Sequence, residues 1–250
     1  MANHASTDEI AMAAYKASTK YWKEFIALPL VVTTVGTLLI VAIISFTSSP
    51  VGIGTTALLL MLGLWVFWIA FFGAQVKWCE EIHKGAKSID IQDGLKYGLS
   101  RFWGVLGTAI LTSIKVVLWM LLLILPGFYK GVMYSKSMHV SILDKISGGD
   151  ANRISEAIVK KAGPVRTFSN LIGIGFLSAI ATYIVMAIAL LFGAIFGLVH
   201  ELTGAFVMFL LYGVGIALVT TVTYVYFHFE YLYFRDEAKA EVTKLKKALS

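Results

Sequence analysis

The sequence predicts an all-α polytopic membrane protein: six transmembrane helices in three hairpins, with amphipathic helices on the cytoplasmic surface between them. Composition is the first reason. Of 250 residues, 58% are hydrophobic and 14% charged, against about 45–50% and about 25% in soluble domains. The second is length, because the nearly uncharged runs from Val31 to Phe46, Thr56 to Phe72 and Phe176 to Val199 approach or exceed the roughly 20 residues that cross hydrocarbon as a helix. In lipid such runs must be helical, since each backbone amide needs a partner within the protein. The third is the one-sided placement of the basic residues.

Apolar length places spans near 26–47, 53–75, 104–126, 169–198 and 204–228, and a more polar one from about 128 to 146 that carries Lys130, Lys136 and His139. With that sixth span, the loops on one face hold Lys130 as their only Lys or Arg. Setting aside Lys130, Lys115 and Lys136 leaves 18 of the 21 Lys and Arg on the other face. Positive residues in short loops stay in the cytoplasm, so both termini are expected there, in a cell (plasma or inner) membrane. Ser6 to Glu24 is polar and amphipathic where a signal peptide would carry an apolar stretch, and no cleavage is expected.

The whole chain, 1–250, reads as a single membrane domain. Ser6 to Glu24, Ile89 to Phe102 and Asn152 to Ala162 have helical periodicity with one apolar face, and Ser88 and Asn152 are the expected N-caps of the latter two. Each segment precedes a basic and aromatic collar: Lys20-Tyr21-Trp22, Arg101-Phe102-Trp103 and Arg166-Thr167-Phe168. In these, Lys20, Trp22, Arg101, Trp103, Arg166 and Phe168 are expected as membrane-interface anchors, the cations at lipid phosphates and the rings at headgroup depth. The collars outline a three-fold pseudo-repeat, 7–83, 88–147 and 152–237. The alternative is that any span entering from the cytoplasm acquires such a collar without common ancestry.

The segment Leu123-Ile124-Leu125-Pro126-Gly127-Phe128-Tyr129, followed by Ser155-Glu156-Ala157-Ile158-Val159-Lys160-Lys161-Ala162 and the closing Tyr231-Leu232-Tyr233-Phe234-Arg235-Asp236, resembles the YciC-like family. The order is also similar to the membrane domain of some glycerophosphoryl diester phosphodiesterases. The charged pair Arg235-Asp236 stands reversed relative to that pattern. The resemblance implies a six-span architecture and no activity, because in the phosphodiesterases the chemistry sits in a separate soluble barrel for which this chain has no room.

Lys115 falls about 11 residues, roughly 16 Å, before the Pro126 turn, and Lys136 about ten residues after it. A hairpin would bring both to mid-membrane. No Asp or Glu is expected at that depth, Glu201 being assigned to an outer loop and Glu230 to the cytoplasmic end of the last span. Three readings stay open: snorkelling of the butyl stems to the headgroups, an anion or lipid-headgroup site of Lys115, Lys136 and His139, or a transport path. His228 and Glu230, two residues apart, point to different helix faces and suggest no metal site. The aromatic run Tyr224 to Phe234 reads as a headgroup belt, and Gly193 with Gly197 as a close-packing pattern within the chain or between protomers.

The single cysteine, Cys79, reads as a structural thiol. No metal and no cofactor are implied. The net charge of +6 marks membrane loops, not a nucleic-acid partner. The expected partners are membrane lipids with anionic headgroups, together with a second copy or other membrane proteins. The functional expectation is a non-catalytic protein that organises membrane, lipid or partner proteins, as a scaffold or envelope factor. The alternative is a carrier or channel for an anion or lipid headgroup.

Overall fold

The structure is a computed structural model that describes residues 5–46 and 50–249, and every regular element among them is helical. The elements are α1 (Thr7–Lys20), a π-helical turn (Lys23–Ala27), α2 (Leu28–Phe46), α3 (Pro50–His83), α4 (Ile91–Ser100), α5 (Phe102–Leu122) and α6 (Ile124–Met133). They continue as α7 (Ser137–Leu143), α8 (Gly148–Ala162), α9 (Pro164–Gly197), α10 (Glu201–Glu237) and α11 (Lys239–Leu249). Among the described residues, four helices are long and apolar enough to cross a membrane: Leu58–His83, Phe102–Leu122, Pro164–Gly197 and Phe206–Glu237.

Internal contacts divide the chain into two bodies. One, the apolar body, comprises Ser18–Trp68 and Ile174–Tyr224. Its only Lys, Arg, Asp or Glu residues are Lys20, Lys23, Glu24 and Glu201, and its outward Leu58, Leu59, Phe176, Tyr183 and Leu191 are exposed. Glycine sets its closest helix approach. A Cβ at Gly204 would lie 2.4 Å from the Gly193 carbonyl oxygen and 2.6 Å from the Gly197 Cα, so the Gly193/Gly197 pattern packs α9 on α10 within the chain.

The other, the charged body, comprises Met1–Ala17, Ile69–Gly173 and Val225–Ser250. Its α1 opens on a capping box, the Glu9 amide donating to Ser6 Oγ (3.2 Å) and the Ser6 amide to Glu9 Oε2 (2.7 Å). The cap of α4 is Asp90, which accepts from the Asp93 amide at 3.0 Å, and that of α8 is Ser147. The expected caps therefore shift: Ser88 lies two residues before the Asp90 cap of α4, and Asn152 is buried inside α8. Gly94 and Gly98 let α4 lie directly on α3, since a Cβ at Gly98 would stand 1.9 Å from the Ala70 carbonyl oxygen.

The expected helix from 128 to 146 is two helices, α6 and α7, separated at Tyr134, Ser135 and Lys136. They run back along α5: Gly127 abuts Met120, Gly131 faces Val116, and Gly104 lies beside Ser141. Leu123, extended at φ −155°, is the whole turn between α5 and α6. Pro126 therefore falls in the first turn of α6, where its missing N–H has no partner to lose. Ser155 of α8 repairs the break between α6 and α7, for its Oγ donates to the Met133 carbonyl (2.8 Å) and accepts from the Lys136 amide (3.1 Å). A buried backbone group left unpaired there would be costly.

Two of the amphipathic helices, α1 and α8, turn apolar residues to protein. Ile10, Ala14 and Ala17 of α1 are buried, as are Ile154, Ile158, Val159 and Ala162 of α8. Hydrophobic periodicity is the same whether lipid or protein covers the face, and here protein covers it.

Candidate functional site

The densest polar chemistry is buried in the charged body, around the segment Val225 to Phe234 of α10. Val225, Tyr226, His228, Phe229, Glu230, Tyr231, Leu232 and Phe234 are all buried. The aromatic run expected as a headgroup belt is thus the core of this body. A helix enclosed on every side needs large apolar groups all round.

Lys136, at the break before α7, forms an ion pair with Glu230, and neither side chain is more than 1% exposed. The second carboxylate oxygen of Glu230 accepts from Asn170 Nδ2 of α9 at 2.8 Å, and Asn170 Oδ1 accepts from Thr7 Oγ1 of α1 at 3.3 Å. The Lys136 ammonium also faces the rings of Phe227 and Phe234, at 5.4 and 5.8 Å. The expectation that Lys136 lacks an acid at its depth is therefore corrected. Glu230 meets it from a helix 94 residues away in the chain.

One helical turn on, His139 Nε2 and His228 Nδ1 share a hydrogen bond of 2.9 Å. One ring must carry the shared proton and the other accept it, so the bond requires a defined tautomer pair. Phe72 stands edge-on to both rings, and Tyr231 stacks on His139. Among the described residues no three His, Cys, Asp or Glu gather as metal ligands.

Beyond the histidines the network continues through Asp144, which sequence reasoning passed over. It accepts from Tyr231 Oη at 3.0 Å and pairs with Lys246 of α11 at 2.6 Å. Arg235 binds Glu80 of α3 at 2.9 Å, and Asp236 meets His83 at 2.8 Å. The only local signal for this cluster is the charged Arg235-Asp236 pair that ends the aromatic run.

Lys115 is placed elsewhere. It lines an open cleft of about 290 Å³ with Tyr134, Asp150, Asn152, Arg153 and Glu156. The expected trio of Lys115, Lys136 and His139 is thus not brought together: Lys136 and His139 join α7 to α10, while Lys115 faces α8. Burial tends to raise the carboxyl pKa of Glu156, but hydrogen bonds and charge from Lys160 and Lys130 outweigh it and hold the group below the usual carboxylate range.

The collars divide by residue type. Trp22, Trp103 and Phe168 are exposed, and Lys20 is exposed beside the Tyr21 ring. The two arginines turn inward instead. Arg101 donates to the Ser141 carbonyl at 2.8 Å, and Arg166 donates to the Ala5 carbonyl and to Glu237 (3.1 Å). A planar guanidinium satisfies several carbonyls and carboxylates at once, which makes it the natural internal clamp.

Compared with protein-family models, with curated proteins and with solved structures, the chain gives no match.

Proposed function

We propose that this is a non-catalytic integral membrane protein that organises lipids or partner membrane proteins, with both termini on the cytoplasmic side of a cell membrane. One observation carries the reading. Three cations within or beside the candidate spans are each spent on an acid, Lys136 on Glu230, Arg166 on Glu237 and Arg235 on Glu80, whereas Lys115 faces the cleft. Such pairs make a rigid frame, whereas a conducting path leaves its charges open to water or substrate. The resemblance to the YciC-like family belongs to this proposal and adds architecture to it, not activity.

A carrier or binding site for an anion or lipid headgroup is the second reading, and the cleft beside Lys115 and Arg153 favours it. Asp150 and Glu156 on the same wall offset those cations, which weakens the cleft as a site for free anions. Native mass spectrometry from mild detergent, with anion flux measured in proteoliposomes, separates the two. The organising role predicts retained anionic lipid and no flux above empty vesicles. Flux that falls on Lys115→Met would overturn it in favour of the carrier.

A further inference from the structure

We propose that α5 and α6 form a re-entrant hairpin, which enters one leaflet of the bilayer, turns at Leu123 and leaves on the same side. Its tip is apolar and open. Leu121, Leu122, Leu123, Ile124 and Leu125 are each 64–81% exposed, and Phe128 and Tyr129 are exposed on the returning arm. Five consecutive large apolar residues left uncovered by protein need an apolar phase around them.

A ring of charge limits how deep that tip reaches. The first turns of α8 lie beside α5, the Gly148 amide donating to Thr108 Oγ1 and Thr112 Oγ1 to Asn152 Oδ1, both at 2.8 Å. Both helices advance four residues between these bonds, so they run parallel, and Glu156 comes level with residue 116. Lys130 of α6 reaches Glu156 there at 3.3 Å, and Lys160 meets the same carboxylate at 2.9 Å. Lys115 closes the ring with Asp150 and Arg153 across the cleft.

From Lys115 to Leu122 is seven residues, and from Lys130 back to Ile124 six, so the apolar arms extend about 9–10.5 Å beyond these two lysines, and less beyond Lys160, which the same register brings level with residue 120. The hydrocarbon core is about 30 Å thick, which makes one leaflet about 15 Å. The tip fits within a leaflet. Were it to emerge at the far headgroups, the ring would stand inside hydrocarbon with Arg153, Asp150 and Lys160 side chains 71, 48 and 59% exposed. Exposed charges do not persist there. At the headgroups the same ring is well placed, since its four cations outnumber its two acids and suit anionic lipid. Trp119 and Tyr129, just beyond it, take the interfacial depth at which aromatic rings collect.

Such a wedge spreads the headgroups of one leaflet only. It deepens the membrane-organising role and is separable from it, because hairpin depth is measured without reference to lipid retention or flux. The termini stay on one side whether this hairpin crosses or turns back.

The experiment places single nitroxide labels at Ile114, Leu118, Leu121, Leu125 and Phe128, all exposed, in a Cys79→Ala background. The full chain is reconstituted in vesicles of phosphatidylcholine and phosphatidylglycerol, and depth is read from the ratio of oxygen to nickel-chelate collisions. A re-entrant hairpin gives depth that rises from Ile114 through Leu118 to a maximum at Leu121 and Leu125, then falls at Phe128. A maximum near Ile114 with Leu125 at headgroup depth means that the hairpin crosses, and overturns the proposal. Water-like nickel access at Leu121 and Leu125 overturns it equally. A label that prevents reconstitution is moved to Leu122 or Leu123 on the same tip.

Discussion

Lys136 and Glu230 form an ion pair that joins the break between α6 and α7 to the core helix α10, with both side chains out of contact with solvent. Removing one partner strands the other's charge in the protein, at a cost of about 3–5 kcal/mol. Lys136→Met and Glu230→Gln are therefore each expected to lower the melting temperature in detergent markedly. The double variant should recover most of the loss, because a neutral pair of similar volume leaves no stranded charge. Snorkelling makes the opposite forecast for Lys136→Met, a gain in stability. Lys115→Met, in its open cleft, should change little.

Ser155 holds both backbone ends of the α6–α7 break. Ser155→Ala leaves a buried amide and a buried carbonyl unpaired, at about 1–3 kcal/mol for each. Hydrogen exchange should quicken at the Lys136 amide well before it changes in α5. Unaltered protection at Lys136 would show that the break is held by other means.

Gly98 is where α4 lies on α3. Gly98→Ala puts a methyl into the Ala70 carbonyl, so α4 must shift, at an overpacking cost of about 1–3 kcal/mol. Exchange across Ile91–Ser100 is expected to rise selectively. Gly63→Ala, where a Cβ meets nothing within 4 Å, is the matched control.

Glu156 supplies a pH dependence. Its carboxyl titrates below the usual range when folded, so its contribution is fully present above the unfolded value of about 4.3 and is lost as pH falls through the folded one. The melting-temperature advantage of the wild type over Glu156→Gln should hold at neutral pH and vanish under acid. Solvent screening keeps that advantage at or below about 1 kcal/mol. An advantage that does not shrink as pH falls below the unfolded carboxylate value would be inconsistent with these ion pairs.

Sidedness is open to thiol labelling in intact cells. Thr203→Cys should react with an impermeant maleimide, while Ser88→Cys and Ser147→Cys should react only after permeabilisation. All three positions are exposed. Labelling of Ser88→Cys in intact cells would refute cytoplasmic termini.

The sequence by itself determined the class of the protein, its helical content and the approximate limits of its apolar helices. These follow from composition and length, because an apolar run in lipid has no way to satisfy its amides except as a helix. It also marked, without explaining them, the residues around the hairpin. Pro126-Gly127 holds the start of α6 against Met120, and Ser155-Glu156 turns out to be the clasp on the α6–α7 break and the acid between Lys130 and Lys160. The tertiary structure alone decided that Lys136 meets Glu230, that His139 meets His228, and that α8 buries its apolar face beside α5. Asp144 became visible as a hub only through Tyr231 and Lys246, 87 and 102 residues away. Periodicity reports which face of a helix is apolar and is silent on what covers it. The partner of a buried charge depends on how distant helices pack, and no local pattern encodes that.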